Sequence, residues 1–260
     1  MSDLIEGFLG KSIDGKKSRL PAKLDYIQSA TGLFLGLFMW GHMFFVSTIL
    51  ISKDAMLAVT RFFEGSMFLK EPQPVIVSFV VAFVFIIFIV HAGLGMRKFP
   101  INFRQFQVYK THMKMMKHSD TTLWFVQAIT GFIMFFLGSA HLYMMMTKAS
   151  EIGPYASSDR MWSDFMWPFY LTLLLAVEFH GSIGLYRLCV KWGFFEGKNS
   201  KETRAKLVKV KWAITAFFLA LGILTLAAYM KIGYEHRHNV GERYMGAIEY
   251  NIAIDRKVEA

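Results

Sequence analysis

Among 260 residues there is one cysteine, Cys189. It cannot close an intramolecular disulfide, and with no C-x-x-C-H anywhere a cofactor cannot be attached through thioethers. Charge is scarce as well, since Asp, Glu, Lys and Arg make up 18% of the chain, against about 25% in soluble domains. Acidic residues are the scarcer kind, 19 against 29 Lys and Arg. The first 23 residues, "MSDLIEGFLGKSIDGKKSRLPAK", contain no short apolar core followed by a small-residue cleavage site. They read as a retained cytoplasmic tail. No internal repeat, soluble domain or low-complexity linker is evident.

What is present is apolar. Hydrophobic residues are 54% of the chain and aromatic ones 16%, more than a soluble domain of this length can keep covered. A bilayer-crossing helix needs about 20 apolar residues. Five stretches qualify, at 24–50, 75–96, 121–146, 165–190 and 210–230. "EPQP" precedes the second, and Pro72 and Pro74 suit a helix boundary. Trp167 and Tyr170 in "WPFY" suit an interfacial belt. The expected fold is therefore all-α, a single integral membrane bundle of five transmembrane helices joined by loops.

The net charge of +10 does not indicate nucleic acid, because the basic residues lie between the apolar runs rather than along one helix face. Lys and Arg concentrate before span one, between spans two and three, and between spans four and five. By the positive-inside rule these segments and the N-terminus face the cytoplasm.

Four histidines fall inside the runs, one per helix: His42 in "WGHMFF", His91 in "IVHAGLG", His141 in "GSAHLYM" and His180 in "VEFHGSIG". At 1.5 Å per residue, His42 and His141 lie roughly 27 and 30 Å from the cytoplasmic starts of their helices. His91 and His180 lie only roughly 9 and 10 Å from the cytoplasmic-side Arg97 and Arg187. They sort into two pairs at two depths. A ring that supplies four equatorial ligands leaves a metal two axial positions, so two pairs are what two haems b require. Gly41, Ala92 with Gly93, Gly138 with Ala140, and Gly181 leave room beside each histidine. A buried histidine can instead be an interhelical hydrogen-bonding residue. His112, His118, His236 and His238 lie in polar segments and read as solvated.

The segments "KLDYIQSATGLFLGLFMWGHMFFVSTIL", "VHAGLGMRKFPINFRQ", "HSDTTLWFVQAITGFIMFFLGSAHLYMMM" and "VEFHGSIGLYRLCVKWGFF" resemble the dihaem cytochrome b subunits of bacterial menaquinol:fumarate reductases, in the succinate:quinone oxidoreductase family. The likeness covers nearly the whole chain. It implies a multi-pass anchor in the bacterial inner membrane, surrounded by lipid and bound on the cytoplasmic side to a flavoprotein and an iron-sulfur subunit. A dimer of such heterotrimers is compatible with it. It also implies two haems b, with His42 and His141 ligating the outer iron, His91 and His180 the inner one, and menaquinol as the substrate.

Two carboxylates fit that chemistry. Glu64, in "TRFFEGSMF", follows span one on the outer side and matches the family's quinol-site glutamate, so it is the candidate proton acceptor. Glu178 stands within span four, where a carboxylate is costly, and the resemblance implies a proton path across the membrane that uses it. For haem propionates, Gln28, Ser29, Trp124, Lys98 and Lys191 are candidate partners on the cytoplasmic side and Arg160 on the outer side. The same residues would serve a succinate:quinone reductase. A proton-coupled transporter using a histidine relay and an anchor with idle histidines are the other readings; one histidine per helix at two levels makes a poor continuous relay.

Overall fold

A computed structural model of the chain describes residues 19–246 except 101 and 117; the basic residues of the first 18 positions and Lys117 lie outside the described residues. Long apolar runs without interior charge favour helix, because a helix satisfies every backbone group within its own segment. The described residues form helices and no strand. The helices are α1 (Leu20–Val46), α2 (Lys53–Phe63), α3 (Pro74–Met96), α4 (Phe103–Met116), α5 (Ser119–Thr147), α6 (Pro154–Trp162), α7 (Trp167–Trp192) and α8 (Ser200–His236). Five of them, α1 with its following 3-10 turn, α3, α5, α7 and α8, are long and apolar enough to cross a membrane.

Local chemistry sets the boundaries. Pro74 opens α3, where its missing N–H costs no helical hydrogen bond. The fourth span begins as helix at Trp167, because Phe165 before it holds a left-handed backbone, φ 55°. The fifth span extends well past 210–230: α8 has 37 residues, roughly 55 Å at 1.5 Å per residue. Asn199 starts it by accepting hydrogen bonds from the Lys201 and Glu202 amides.

Three connecting segments expected to be loops hold helices. The Ser52 hydroxyl oxygen caps α2 by accepting from the Ala55 amide at 2.9 Å, an N-cap of about 0.5–2 kcal/mol. Met56 and Thr60, one turn apart, form its buried face. Gly65, φ 86°, follows its C-terminal end in the left-handed conformation that glycine adopts without steric cost. Pro154 begins α6 directly after Gly153.

The chain divides into two compact units: Met1–Phe38, Val84–Phe136 and Ala176–Thr215 in the first, and Met39–Phe83, Leu137–Leu175 and Ala216–Ala260 in the second. In the first, Val84, Phe88, Leu94, Ile183 and Tyr186 are buried, and the Tyr186 hydroxyl donates to Asp120 at 3.0 Å. In the second, Ile49, Met56, Met161 and Tyr229 form a buried cluster, and the Tyr229 hydroxyl donates to the Val46 carbonyl. Large side chains on the spanning helices face outward, with Phe79 72% exposed and Ile86 65%. Such surface suits lipid and not water.

Candidate functional site

The four histidines of the spans meet in two pairs. In the first unit the His91 and His180 ring centres are 6.3 Å apart, with the rings at 90°. In the second, those of His42 and His141 are 6.2 Å apart at 56°. Two metal–imidazole bonds of about 2.0–2.1 Å, with about 1.1 Å from nitrogen to ring centre on each side, place two axial ligands of one metal about 6.3 Å apart. Both pairs have that spacing. Among the described residues no three His, Cys, Asp or Glu side chains converge on a metal site, so each pair offers two protein ligands, the number a haem iron accepts.

The hydrogen bonds of the first pair set which nitrogen is left free to hold a metal. His180 Nδ1 lies 2.9 Å from the Gln127 carbonyl oxygen. A carbonyl only accepts, so Nδ1 carries the proton and Nε2 keeps its lone pair. His91 Nδ1 lies 3.2 Å from the Thr31 hydroxyl oxygen. That hydroxyl donates its one proton to the Ile27 and Gln28 carbonyls, so it accepts from His91, and the Gln28 carbonyl also bonds this ring. Nε2 is again the free ligand atom. In the second pair, His141 Nδ1 is buried without a hydrogen-bond partner among the described residues, and the Tyr170 ring stands edge-on to it at 5.6 Å.

Asp25, which the sequence did not single out, gathers both lysine candidates: Lys98 and Lys191 are each ion-paired to it. Lys191 also donates to Ser29 at 3.3 Å. Gln28 has its side-chain nitrogen 3.4 Å from the position a Cβ on Gly95 would take. Trp124 packs on Tyr109 of α4, ring centres 5.4 Å apart. Arg160 is buried in α6, donates to the Glu151 carbonyl, and lies beside the Tyr170 hydroxyl.

Glu64 is half-buried just beyond α2. Burial raises its carboxyl above the ordinary glutamate value, while Arg61 and Arg243 pull it the other way. Glu178 is fully buried in α7, and neither carboxylate oxygen has a hydrogen-bond partner among the described residues.

Two sequence readings change. His236 is not solvated: α8 continues far enough to bury it, its Nδ1 is 2.9 Å from Asp159 Oδ1, and its ring stacks on Tyr155 at 4.0 Å. His112, His118 and His238 are exposed. The chain also has an internal repeat. "QSATGLFLGLFMWGH" at 28–42 and "QAITGFIMFFLGSAH" at 127–141 share Gln, Thr, Gly and His in one register, and "HAGLG" at 91–95 matches "HGSIG" at 180–184. Gln28 meets Gly95 as Gln127 meets Gly184. This register was the available signal for Thr31 and Gln127, which the sequence reading passed over.

Residues 103–221 match the family described as the succinate dehydrogenase/fumarate reductase transmembrane subunit. A fumarate reductase cytochrome b subunit from Wolinella succinogenes is 57% identical over 242 residues, covering 93% of this chain and 94% of the relative. The chain belongs to the fumarate reductase cytochrome b family. Two further members, from Helicobacter pylori strains 26695 and J99, are each 53% identical over 247 residues, 95% of this chain and 95% of theirs. Membership of the cytochrome b family agrees with five apolar spanning helices and makes the chain a multi-pass protein of the bacterial inner membrane.

Asp159 also accepts from the Gly241 amide at 3.2 Å, so one carboxylate fixes both the end of α8 and the segment after it. Asp159→Ala leaves His236 buried and unpaired, a loss of about 1–3 kcal/mol. Faster amide hydrogen exchange at 237–246 is the expected outcome, with the histidine pairs undisturbed.

Proposed function

We propose that this chain is the dihaem cytochrome b subunit of a fumarate reductase, anchoring a flavoprotein and an iron-sulfur subunit at the cytoplasmic face and oxidising menaquinol in the membrane. Fumarate is reduced to succinate elsewhere in the complex. The observation that carries this reading is the pair of bis-histidine sites, each at the spacing one metal needs between two imidazoles. Bound there, two haems b would supply one-electron carriage between the quinol and the iron-sulfur partner.

The chain's own residues do the rest. His42 with His141, and His91 with His180, would hold the irons. Lys98, Lys191, Gln28, Ser29 and Trp124 would serve the propionates of the cytoplasmic-side group, and Arg160 those of the other. Asp25 keeps the two lysines together. Menaquinol gives up two electrons and two protons on oxidation, and Glu64, ionised, takes a proton from a quinol hydroxyl. Glu178, buried with no hydrogen-bond partner among the described residues, exchanges a proton along a path through the membrane.

Replacing His42 or His141 by Ala should remove chiefly one haem, and replacing His91 or His180 chiefly the other. Haem stoichiometry and reduced-minus-oxidised visible spectra of the purified complex check this. One haem in the wild type, or four spectrally normal variants, would refute the assignment.

Glu64→Gln should abolish menaquinol oxidation while fumarate reduction from an artificial donor to the partner subunits survives with both haems bound. The acceptor works only when ionised, and burial raises its proton affinity. Quinol oxidation in the wild type should therefore fail as pH falls, at a pH above the ordinary glutamate range. Simultaneous loss of both activities would indicate misassembly.

Glu178→Gln should slow menaquinol-driven turnover in sealed vesicles and leave turnover from the artificial donor intact. Menaquinol turnover at the wild-type rate would assign Glu178 a structural role.

A further inference from the structure

An imidazole held by one bond at Nδ1 can still swing about that bond, so something must fix its plane. For His91 and His180 the structure supplies that contact twice. A Cβ placed on Gly32 of α1 would lie 2.8 Å from His91 Cε1, and one on Gly131 of α5 would lie 2.7 Å from His180 Cε1 and 2.9 Å from its Nδ1. Real Cβ atoms essentially never come closer than 3.0 Å to a heavy atom of a residue that is not their neighbour in the chain. Each imidazole thus rests on bare backbone, where no other residue type leaves room. Gly32 and Gly131 occupy the same place in the repeated Gln-x-x-Thr-Gly register. The carbonyls that bond the two rings come from the glutamines of that register, Gln28 and Gln127.

The arrangement is reciprocal. Four residues after each histidine, Gly95 and Gly184 lie against the side-chain nitrogens of Gln28 and Gln127, and Arg187 donates to the Gln127 side-chain oxygen at 2.6 Å. Each glutamine therefore holds a ligand histidine with its main chain while its side chain fills the gap beside the ligand's own helix. At the other pair the glycine beside His42 makes no such contact: a Cβ on Gly41 would meet only Phe45, at 4.0 Å.

We propose that Gly32 and Gly131, with the Gln28 and Gln127 carbonyls, form two matched seats that fix the planes of His91 and His180 at right angles, and that both glycines are positioning residues for the metal held between these histidines. The inference rests on the dihaem reading above. Its consequence is local to this pair: enlarging either glycine turns or displaces one ring, changing the angle between the axial planes and weakening the hold on the iron. Removing the outer-sphere partner of a metal-ligating histidine typically costs roughly 10–100-fold in affinity, and displacing the whole ring should reach that range.

The test is EPR of the oxidised haems in the purified complex, since the ferric signal responds to the angle between axial imidazoles, together with haem retention on dilution. Gly32→Ala and Gly131→Ala should each move the line assigned to the His91–His180 haem and weaken its retention roughly 10–100-fold, leaving the second line in place. Gly36→Ala, one turn from Gly32 but with Leu185 as its nearest neighbour at 3.0 Å, should leave both lines unchanged. Thr31→Val removes the hydroxyl at His91 without adding bulk and should shift the same line as Gly32→Ala.

An unmoved line in both glycine variants overturns the proposal, as does equal movement of both lines, which marks a general packing defect. If neither glycine variant assembles, an unmoved line in Thr31→Val overturns it. A wild-type complex lacking the second line overturns the dihaem reading and this inference with it, whereas a normal wild type with indifferent variants overturns the inference alone.

Discussion

Hydrocarbon offers a polar side chain no water, so every donor and acceptor within the spans must find its partner within its own helix or on a neighbouring one, or bear the cost of burial. The rest of this structure depends on that constraint. An imidazole has two nitrogens, and in a membrane the one that does not bind metal needs its own acceptor. The Gln127 carbonyl and the Thr31 hydroxyl provide it for His180 and His91. These bonds fix the tautomer, and the tautomer leaves Nε2 of each ring with a free lone pair.

The same constraint distinguishes the charged groups. Lys98 and Lys191 share the one carboxylate of Asp25 and so keep a net positive charge between them, whereas Arg204 and Asp120 balance each other at 3.6 Å. Lys211, buried in α8, has no hydrogen-bond partner for its ammonium among the described residues; it lies over the Trp212 ring at 3.6 Å, an electrostatic substitute for hydration. Glu178 has neither kind of compensation among the described residues. A buried carboxylate left without a partner is a functional candidate by default, and this gives the proposed proton path its physical basis.

Sequence reasoning located the four paired histidines because each interrupts an apolar run at a cost that needs a reason. It located Glu178 for the same cause. It passed over Thr31 and Gln127 because threonine and glutamine in a membrane helix are ordinary, and over the repeat because only four of fifteen positions in the two long strings coincide. His236 looked solvated because its neighbours are polar, but local polarity says nothing about a partner 77 positions away. The helices α2, α4 and α6 were missed because their sequences are short and mixed, and α2 and α6 gain their stability partly from the buried faces they pack.

The sequence by itself determined the number of spanning helices and that four of them carry one buried-run histidine each, because hydropathy is a property of one segment at a time. Only the tertiary structure decided which nitrogen of His91 and His180 is free, which glycines lie beneath their rings, and that Asp25 joins two lysines. Those facts depend on the rotation of each helix about its axis and on which faces meet. Packing between helices sets both, and no single segment encodes it.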